Sequence, residues 1–289
     1  MGLAAAWRGL AGQGPARRGE AGQGVARLGE ARQGKGFDGM QIVKTVACTH
    51  PIVVIHGTEG RGKTTLGSKF PSPLFMLLER GIPRGVTVDA IGGLDTFEDV
   101  LDALRHIFAN GTPHATLVVD TLDQLEALII KYVCKKNGWA SIETPSYGKG
   151  FVEVETEVRR FISAACAIRD KHGMTIVLIA HSDIVRIEDP RAPTYTAYHL
   201  RLHKRSRALV MDVADLVGFL SDELRITTQA DGFNRERVRA NAGSSRYLFV
   251  EGRPAFSAKN RFGMPEKIEI GKDFDIRSLS QYWAPIEEA

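Results

Sequence analysis

Residues Gly57 to Thr64 read GTEGRGKT, directly behind the apolar run IVVI and ahead of a helical stretch. This is the spacing G-x-x-x-x-G-K-[ST], in which close glycines let the backbone wrap a polyphosphate and aim its N–H groups inward. Gly57, Gly60 and Gly62 shape the loop, with Thr58, Glu59 and Arg61 between them. Lys63 is the point charge for the β- and γ-phosphates, Thr64 offers a hydroxyl to Mg²⁺, and Thr65 contacts an outer phosphate. The expected cofactors are ATP and Mg²⁺.

Phosphate chemistry also needs carboxylates. ATLVVD delivers Asp120 to the end of a strand, where an acid serves the metal and its water. LFMLLERG puts Glu79 at the C-terminal end of the strand that follows the first helix, on the edge where open α/β sheets bind ligands. There it can orient or deprotonate an attacking water, although a surface glutamate in a turn is the competing reading. TIVLIAHSD ends its apolar run at His181, placed to sense the γ-phosphate and relay it to the loop beyond, or else a structural histidine. Asp123 sits where a helix N-cap belongs and is read first as a cap.

The elements that must hold these groups alternate between strand-length apolar runs and longer 3.6-period stretches, the pattern of an α/β domain with a mainly parallel sheet covered by helices. Strands are expected at 52–55, 74–78, 87–91, 116–119, 175–180 and 216–220, and helices at 63–70, 96–109, 124–136 and 152–171. TFED at 96–99 is a capping box. LRITTQ and RYLFVEG read as a C-terminal β-hairpin joined by a long polar loop, and 182–207 reads as a second long irregular stretch.

Residues 1–39 contain AGQGPARRGE and AGQGVARLGE, a ten-residue repeat with too few large apolar groups to offset the entropy of ordering, so they are expected to be disordered or to precede a true start at Met40. Residues 40–289 form the expected single domain. The net charge of +4 is local: residues 1–36 carry six basic and two acidic groups, leaving 32 of each sign in 37–289. Overall basicity is therefore no argument for a polyanionic partner. No stretch approaches an 18-residue apolar span, so no membrane partner is expected. Cys48, Cys134 and Cys166 form no CxxC pair, which points to a reducing cytoplasm.

Taken together, IVVIHGTEGRGKTTLGSKFPSPLFMLLERG, LVVDTLDQLE, YGKGF, LIAHSD, VADLVGFL and FSAKNRFGMP resemble the RecA-like P-loop ATPases. Within these, the likeness is to the phage and prophage nucleotide-binding proteins of the single-strand annealing recombinase type, and it runs from about Gln41 to Arg277. The resemblance implies that Glu79 activates water, Asp120 is the Mg²⁺-associated acid and His181 senses the γ-phosphate. It also implies that Lys259 and Arg261 of AKNR reach the γ-phosphate of a neighbouring subunit in a ring or filament; a solvated strand edge guarded by cations is the other reading. MLL before Glu79 departs from the family, which usually carries an acid there, and the decameric repeat has no counterpart in it.

The same resemblance turns the two long stretches toward DNA. Arg186, Arg191, Tyr195, Tyr198, Arg201, Lys204, Arg205 and Arg207 interleave cations with aromatics, as unpaired bases and their phosphates require. Phe233, Arg235, Arg237, Arg239 and Arg246 populate the second stretch. The expected activity is a DNA-stimulated ATPase that binds single-stranded DNA and promotes annealing or strand exchange as a homo-oligomer, alongside a single-strand DNA-binding protein. A nucleotide-switched loader is the main alternative, and a small-molecule P-loop kinase a weaker one.

Overall fold

The computed structural model describes residues 50–79, 81–230 and 236–283. The repeat at 1–39 lies outside the described residues. The order of elements is β1 (Ile52–Gly57), α1 (Lys63–Gly67), β2 (Pro73–Leu77), β3 (Asp89–Ile91), α2 (Phe97–Asn110), β4 (Thr116–Asp120), α3 (Leu122–Asn137), α4 (Lys149–His172), β5 (Thr175–Ile187), β6 (Tyr195–Leu200), α5 (Lys204–Val213), β7 (Leu216–Ala230), β8 (Glu236–Phe249), β9 (Lys259–Asn260), β10 (Lys267–Glu269) and α6 (Arg277–Ser280).

The sheet runs β3-β2-β4-β5-β1-β7-β8-β10. All neighbours from β3 to β7 are parallel, and β8 and β10 complete it antiparallel. Every residue of β1 and β4 is buried, as expected of parallel strands covered on both faces. Alternation divides their side chains. Val53, Ile55, Val118, Val177 and Ile179 join Leu66, Phe70, Met264, Ile276, Leu279 and Trp283 in one cluster, so α1 and the C-terminal segment cover that face. The intervening Ile52, Val54, Leu117, Val119, Ile176 and Leu178 turn the other way, where α2, α3 and α4 bury Leu104, Ile129, Phe161 and Ile168.

Thr96 and Asp99 form the expected reciprocal box, Thr96 Oγ1 accepting from Asp99 N at 3.2 Å and Thr96 N donating to Asp99 Oδ2 at 2.8 Å. Asp123 does not cap α3: Thr121 is the N-cap, and Asp123 lies inside the first turn with its carboxylate committed elsewhere. The stretch 182–207 is not irregular either. β5 continues through Ile187 and pairs antiparallel with β6 from Ser182–Leu200 to Ile187–Tyr195, after which α5 begins. The expected long polar loop in the C-terminal hairpin is also mostly strand: β7 and β8 pair out to Ala230–Glu236, with an irregularity between Asp222 and Leu224. Beyond His181 the residues of β5 are half-buried or exposed, so this part of the strand carries no apolar run.

The connection before α4 is held by a close approach, since a Cβ on Gly150 would lie 2.0 Å from the Ile142 carbonyl oxygen. Gly150→Ala is expected to lower stability by about 1–3 kcal/mol through overpacking, read as a drop in urea midpoint with little change in slope.

Candidate nucleotide site

The phosphate loop leaves β1 at the C-terminal edge of the sheet. Gly60 and Gly62 adopt φ of 70° and 79°, left-handed conformations that favour glycine. A Cβ on Gly57 would sit 2.4 Å from the Leu220 carbonyl oxygen, so this position is fixed by the packing of β1 on β7. Lys63 curls back over the loop, its Nζ donating to the carbonyls of Gly57 at 3.0 Å and Thr58 at 2.9 Å. Burial holds the Lys63 ammonium below its ordinary pKa, opposed by the charges of Asp123, Asp120, Glu79 and Glu59.

Parallel register brings three further groups to this edge. Gly57 pairs with His181, and Asp120 lies level with Leu77 and Ile179. Thr64 Oγ1 donates to Asp120 Oδ2 at 2.7 Å. Burial raises the pKa of Asp120, helped by the charge of Glu79 and opposed by the Thr64 hydrogen bond and Lys63. A buried carboxylate beside a hydroxyl, destabilised as an anion and facing a loop of inward N–H groups, is a donor set suited to a hard divalent cation carrying phosphate oxygens. Thr64 and Asp120 thus fit Mg²⁺, and Gly57 to Thr65 fit the phosphates.

Glu79 emerges from the end of β2, and its Oε1 accepts from Thr121 Oγ1 at 2.8 Å. Asp123, the group misread as a cap, binds His181 twice: it accepts from the backbone N at 3.1 Å and meets Nδ1 at 2.8 Å. Burial would raise the pKa of Asp123, but the hydrogen bonds from His181 and Thr121 outweigh it and hold it low. The His181 ring lies 3.6 Å from Glu79 Oε1, and ligand atoms of Glu79, Asp123 and His181 fall within 4.8 Å of one another. Arg201 then spans from Asp123, at 3.7 Å, to Glu59 of the phosphate loop at 3.2 Å.

The sequence does not single out Thr121, and it offers Asp123 as a working group only behind its reading as a cap. An acid three residues beyond Asp120 was visible, but its histidine partner lies 58 residues away. A second unanticipated set joins the loop to β7 and β8: Arg61 bonds to Asp222, and Arg246 Nε lies 3.6 Å from Asp222 Oδ1.

Lys259 and Arg261 are not brought to this chain's own phosphate loop. Lys259 pairs in register with Val217, its Nζ donates to the carbonyls of Met211 and Asp212, and Arg261 Nη1 donates to Asp215 Oδ1 at 2.9 Å. Asp215 also accepts from Ile52 N, at the start of β1, so the pair sits at the opposite sheet edge, five strand residues or about 17 Å from Gly57.

Several cations read as DNA contacts are partnered within the chain: Arg191 with Asp189, Arg201 with Glu59, Arg205 with Glu155 and Arg186 with Glu188. Tyr198 stacks on Phe219 at 5.2 Å. Phe233 and Arg235 lie outside the described residues, as do the side chains of Arg237 and Arg239.

The AAA_24 family, described as an AAA domain, matches residues 49–262. Among curated proteins the chain is similar to the SPbeta prophage-derived uncharacterized protein YorG of Bacillus subtilis (strain 168), 27% identical over 218 residues. That match covers 72% of this chain and 64% of the relative, so the chain spans less than two thirds of it. Among solved structures it is similar to flagellar accessory protein FlaH from Methanocaldococcus jannaschii at 10% identity, over 78% of this chain and 85% of that one, with a TM-score of 0.36.

Behind the loop, His56 is buried, its Nδ1 2.9 Å from Ser182 Oγ and its Nε2 2.8 Å from the Ser257 carbonyl. Nε2 therefore donates and Nδ1 accepts, the neutral ring, and burial pushes its pKa down from 6.5 to about 4. The unfolded chain binds this proton more readily, so the stability involved is intact above pH 6.5 and is lost as pH falls toward 4. Urea titrations at pH 7 and pH 4 should show wild type losing about 3 kcal/mol more than His56→Gln across that interval. Equal losses would show that His56 is not the group responsible.

Proposed function

The chain belongs to the AAA-domain family of P-loop ATPases, and from that premise we propose that it is a phage-type recombination ATPase that binds single-stranded DNA and promotes annealing or strand exchange. The observation that carries the coupling is the continuous link from the phosphate loop through Glu59, Arg201, Asp123 and His181 to the β5–β6 hairpin. A change in charge at the phosphates alters what Glu59 and His181 face, and both are tied to the segment holding Arg186, Arg191 and Tyr195. The prophage derivation of the Bacillus subtilis relative supports the biological setting.

In the proposed reaction Glu79, held by Thr121, takes the proton of the water that attacks the γ-phosphate. Lys63 moves from its loop carbonyls to the phosphate oxygens. Mg²⁺, when bound at Thr64 and Asp120, neutralises charge on the phosphates. His181, oriented by Asp123, stands beside Glu79 and reads the γ-phosphate. Lys259 and Arg261, distant from their own loop, act on a neighbouring subunit's nucleotide in a ring or filament, Lys259 first leaving the carbonyls at the end of α5. The intramolecular pairing of Arg191, Arg201 and Arg205 favours a second reading, in which the same nucleotide switch times release of a protein partner.

Lys63→Ala is expected to lose nucleotide binding. Glu79→Gln should keep it while slowing turnover by about 10²–10⁴-fold. Single-stranded DNA should stimulate hydrolysis, with an affinity that falls steeply with salt. Mixing Lys63→Ala with Lys259→Ala protein should restore part of the activity that each lacks. Absence of DNA binding at low salt, with phosphorylation of a small acceptor, would overturn the recombination reading.

A further inference from the structure

Three side chains able to ligate a metal meet where the chain beyond β2 and the end of the buried run of β5 face the first turn of α3. One oxygen each of Glu79 and Asp123 and a ring nitrogen of His181 lie within 4.8 Å of one another. His181 Nδ1 stands 2.8 Å from Asp123 Oδ2 and 3.6 Å from Glu79 Oε1. Donors on a four-coordinate Zn²⁺, each about 2.0–2.1 Å from the ion, are about 3.3–3.5 Å apart. The spacing from His181 to Glu79 is close to this, and the shorter contact to Asp123 widens once an ion replaces the proton between the ring and the carboxylate. Only 11% of the His181 side chain and 9% of Asp123 are exposed, against 33% of Glu79, so two donors are fixed in the interior and the third guards the way in.

Each donor is also held from outside the set. Leu78 N and Glu79 N both donate to the Asp120 carbonyl, at 2.8 and 3.3 Å, and Thr121 Oγ1 donates to Glu79 Oε1 at 2.8 Å. The backbone N of His181, anchored in β5, donates to both oxygens of Asp123. Contacts of this kind orient metal ligands in advance of the ion. The set differs in chemistry from Thr64 and Asp120. That pair offers oxygen alone, the ligand type of Mg²⁺, whereas an imidazole nitrogen with two carboxylates suits Zn²⁺ or Co²⁺. Two nearby cations have other engagements: Arg201 approaches Asp123 at Oδ1, 3.7 Å away, rather than at the Oδ2 that meets the ring, and Lys63 donates to the loop carbonyls.

We propose that Glu79, Asp123 and His181 form a second divalent-cation site, selective for a transition-metal ion over Mg²⁺, with a fourth position left for water. An ion held there occupies the carboxylate of Glu79 and the ring of His181, and so competes with hydrolysis. That consequence rests on the role of Glu79 proposed above; the binding itself does not.

Binding of Zn²⁺ to nucleotide-free, chelator-stripped protein, read by competition with a chromogenic chelator in millimolar Mg²⁺, tests the site without reference to turnover. Wild type should take up one Zn²⁺ per chain with micromolar affinity, and Co²⁺ should give the visible absorption of a four-coordinate ion. His181→Gln and Glu79→Gln should each weaken Zn²⁺ binding by at least about tenfold and remove the Co²⁺ signal, with unchanged melting temperatures verifying their folds. Asp120→Asn, which alters only the Mg²⁺ pair, should retain both. Zn²⁺ should inhibit ATP hydrolysis by wild type over the concentration range in which it binds. Wild-type Zn²⁺ affinity in the two folded Gln variants, or displacement of Zn²⁺ by millimolar Mg²⁺, overturns the inference and leaves the nucleotide site standing. Undiminished hydrolysis with the Zn²⁺ site filled overturns the competition. Protein that binds Zn²⁺ as expected but binds no ATP overturns the nucleotide reading and leaves the metal site standing.

Discussion

The parallel register of β1, β4 and β5 is the constraint on which the rest of the site depends. It sets Gly57 beside His181 and Asp120 level with Ile179, so the phosphate loop, the Asp120 carboxylate and the histidine reach one edge together. A slip of one residue in any of these strands would turn its side chains to the opposite face and bury Asp120 or His181 away from the loop. The deep burial of β1 and β4 on both faces is what makes such a slip costly. Rigidity at the strand ends is thus supplied by the apolar faces of α1 to α4, at a distance from the chemistry.

Charge at that edge is arranged in opposition. Burial disfavours both the Lys63 ammonium and the Asp120 carboxylate, and each is opposed by the other's charge. Asp123 is different: its low pKa reflects hydrogen bonds from His181, which make it a fixed anion that orients a ring. Thr121 performs the same orienting task for Glu79. The two potential actors on water and γ-phosphate are therefore each held by a neighbour from the turn that begins α3.

The loop, its lysine and Asp120 were legible from sequence because their neighbours in space are also neighbours in a short pattern: strand, glycine loop, helix, then a strand ending in an acid. Asp123 lies two positions beyond the true N-cap, Thr121. N-cap status is a property of backbone angles, and Thr121 and Asp123 are both suitable residue types. The extension of β5 beyond His181 was hidden because its residues are half-buried or exposed and form no apolar run. The pairing of Arg201 and Arg205 with acids was equally hidden, since Arg201–Glu59 joins residues 142 apart and Arg205–Glu155 joins residues 50 apart. A run of cations in sequence says nothing about which of them an acid already holds.

β7 ties these observations together. Its first residues pair with β9 beside Asp215, which receives Ile52 N and Arg261, and its middle carries Asp222, which receives Arg61 of the phosphate loop. Beyond Asp222 the ladder with β8 is interrupted and then resumes for the seven residues Leu224 to Ala230, a span of about 24 Å. Such an interruption bends the strand and increases its local twist. The root of this extension is thus fastened to the residue that contacts the phosphate loop, so the direction in which the paired segment leaves the sheet is set beside the loop itself.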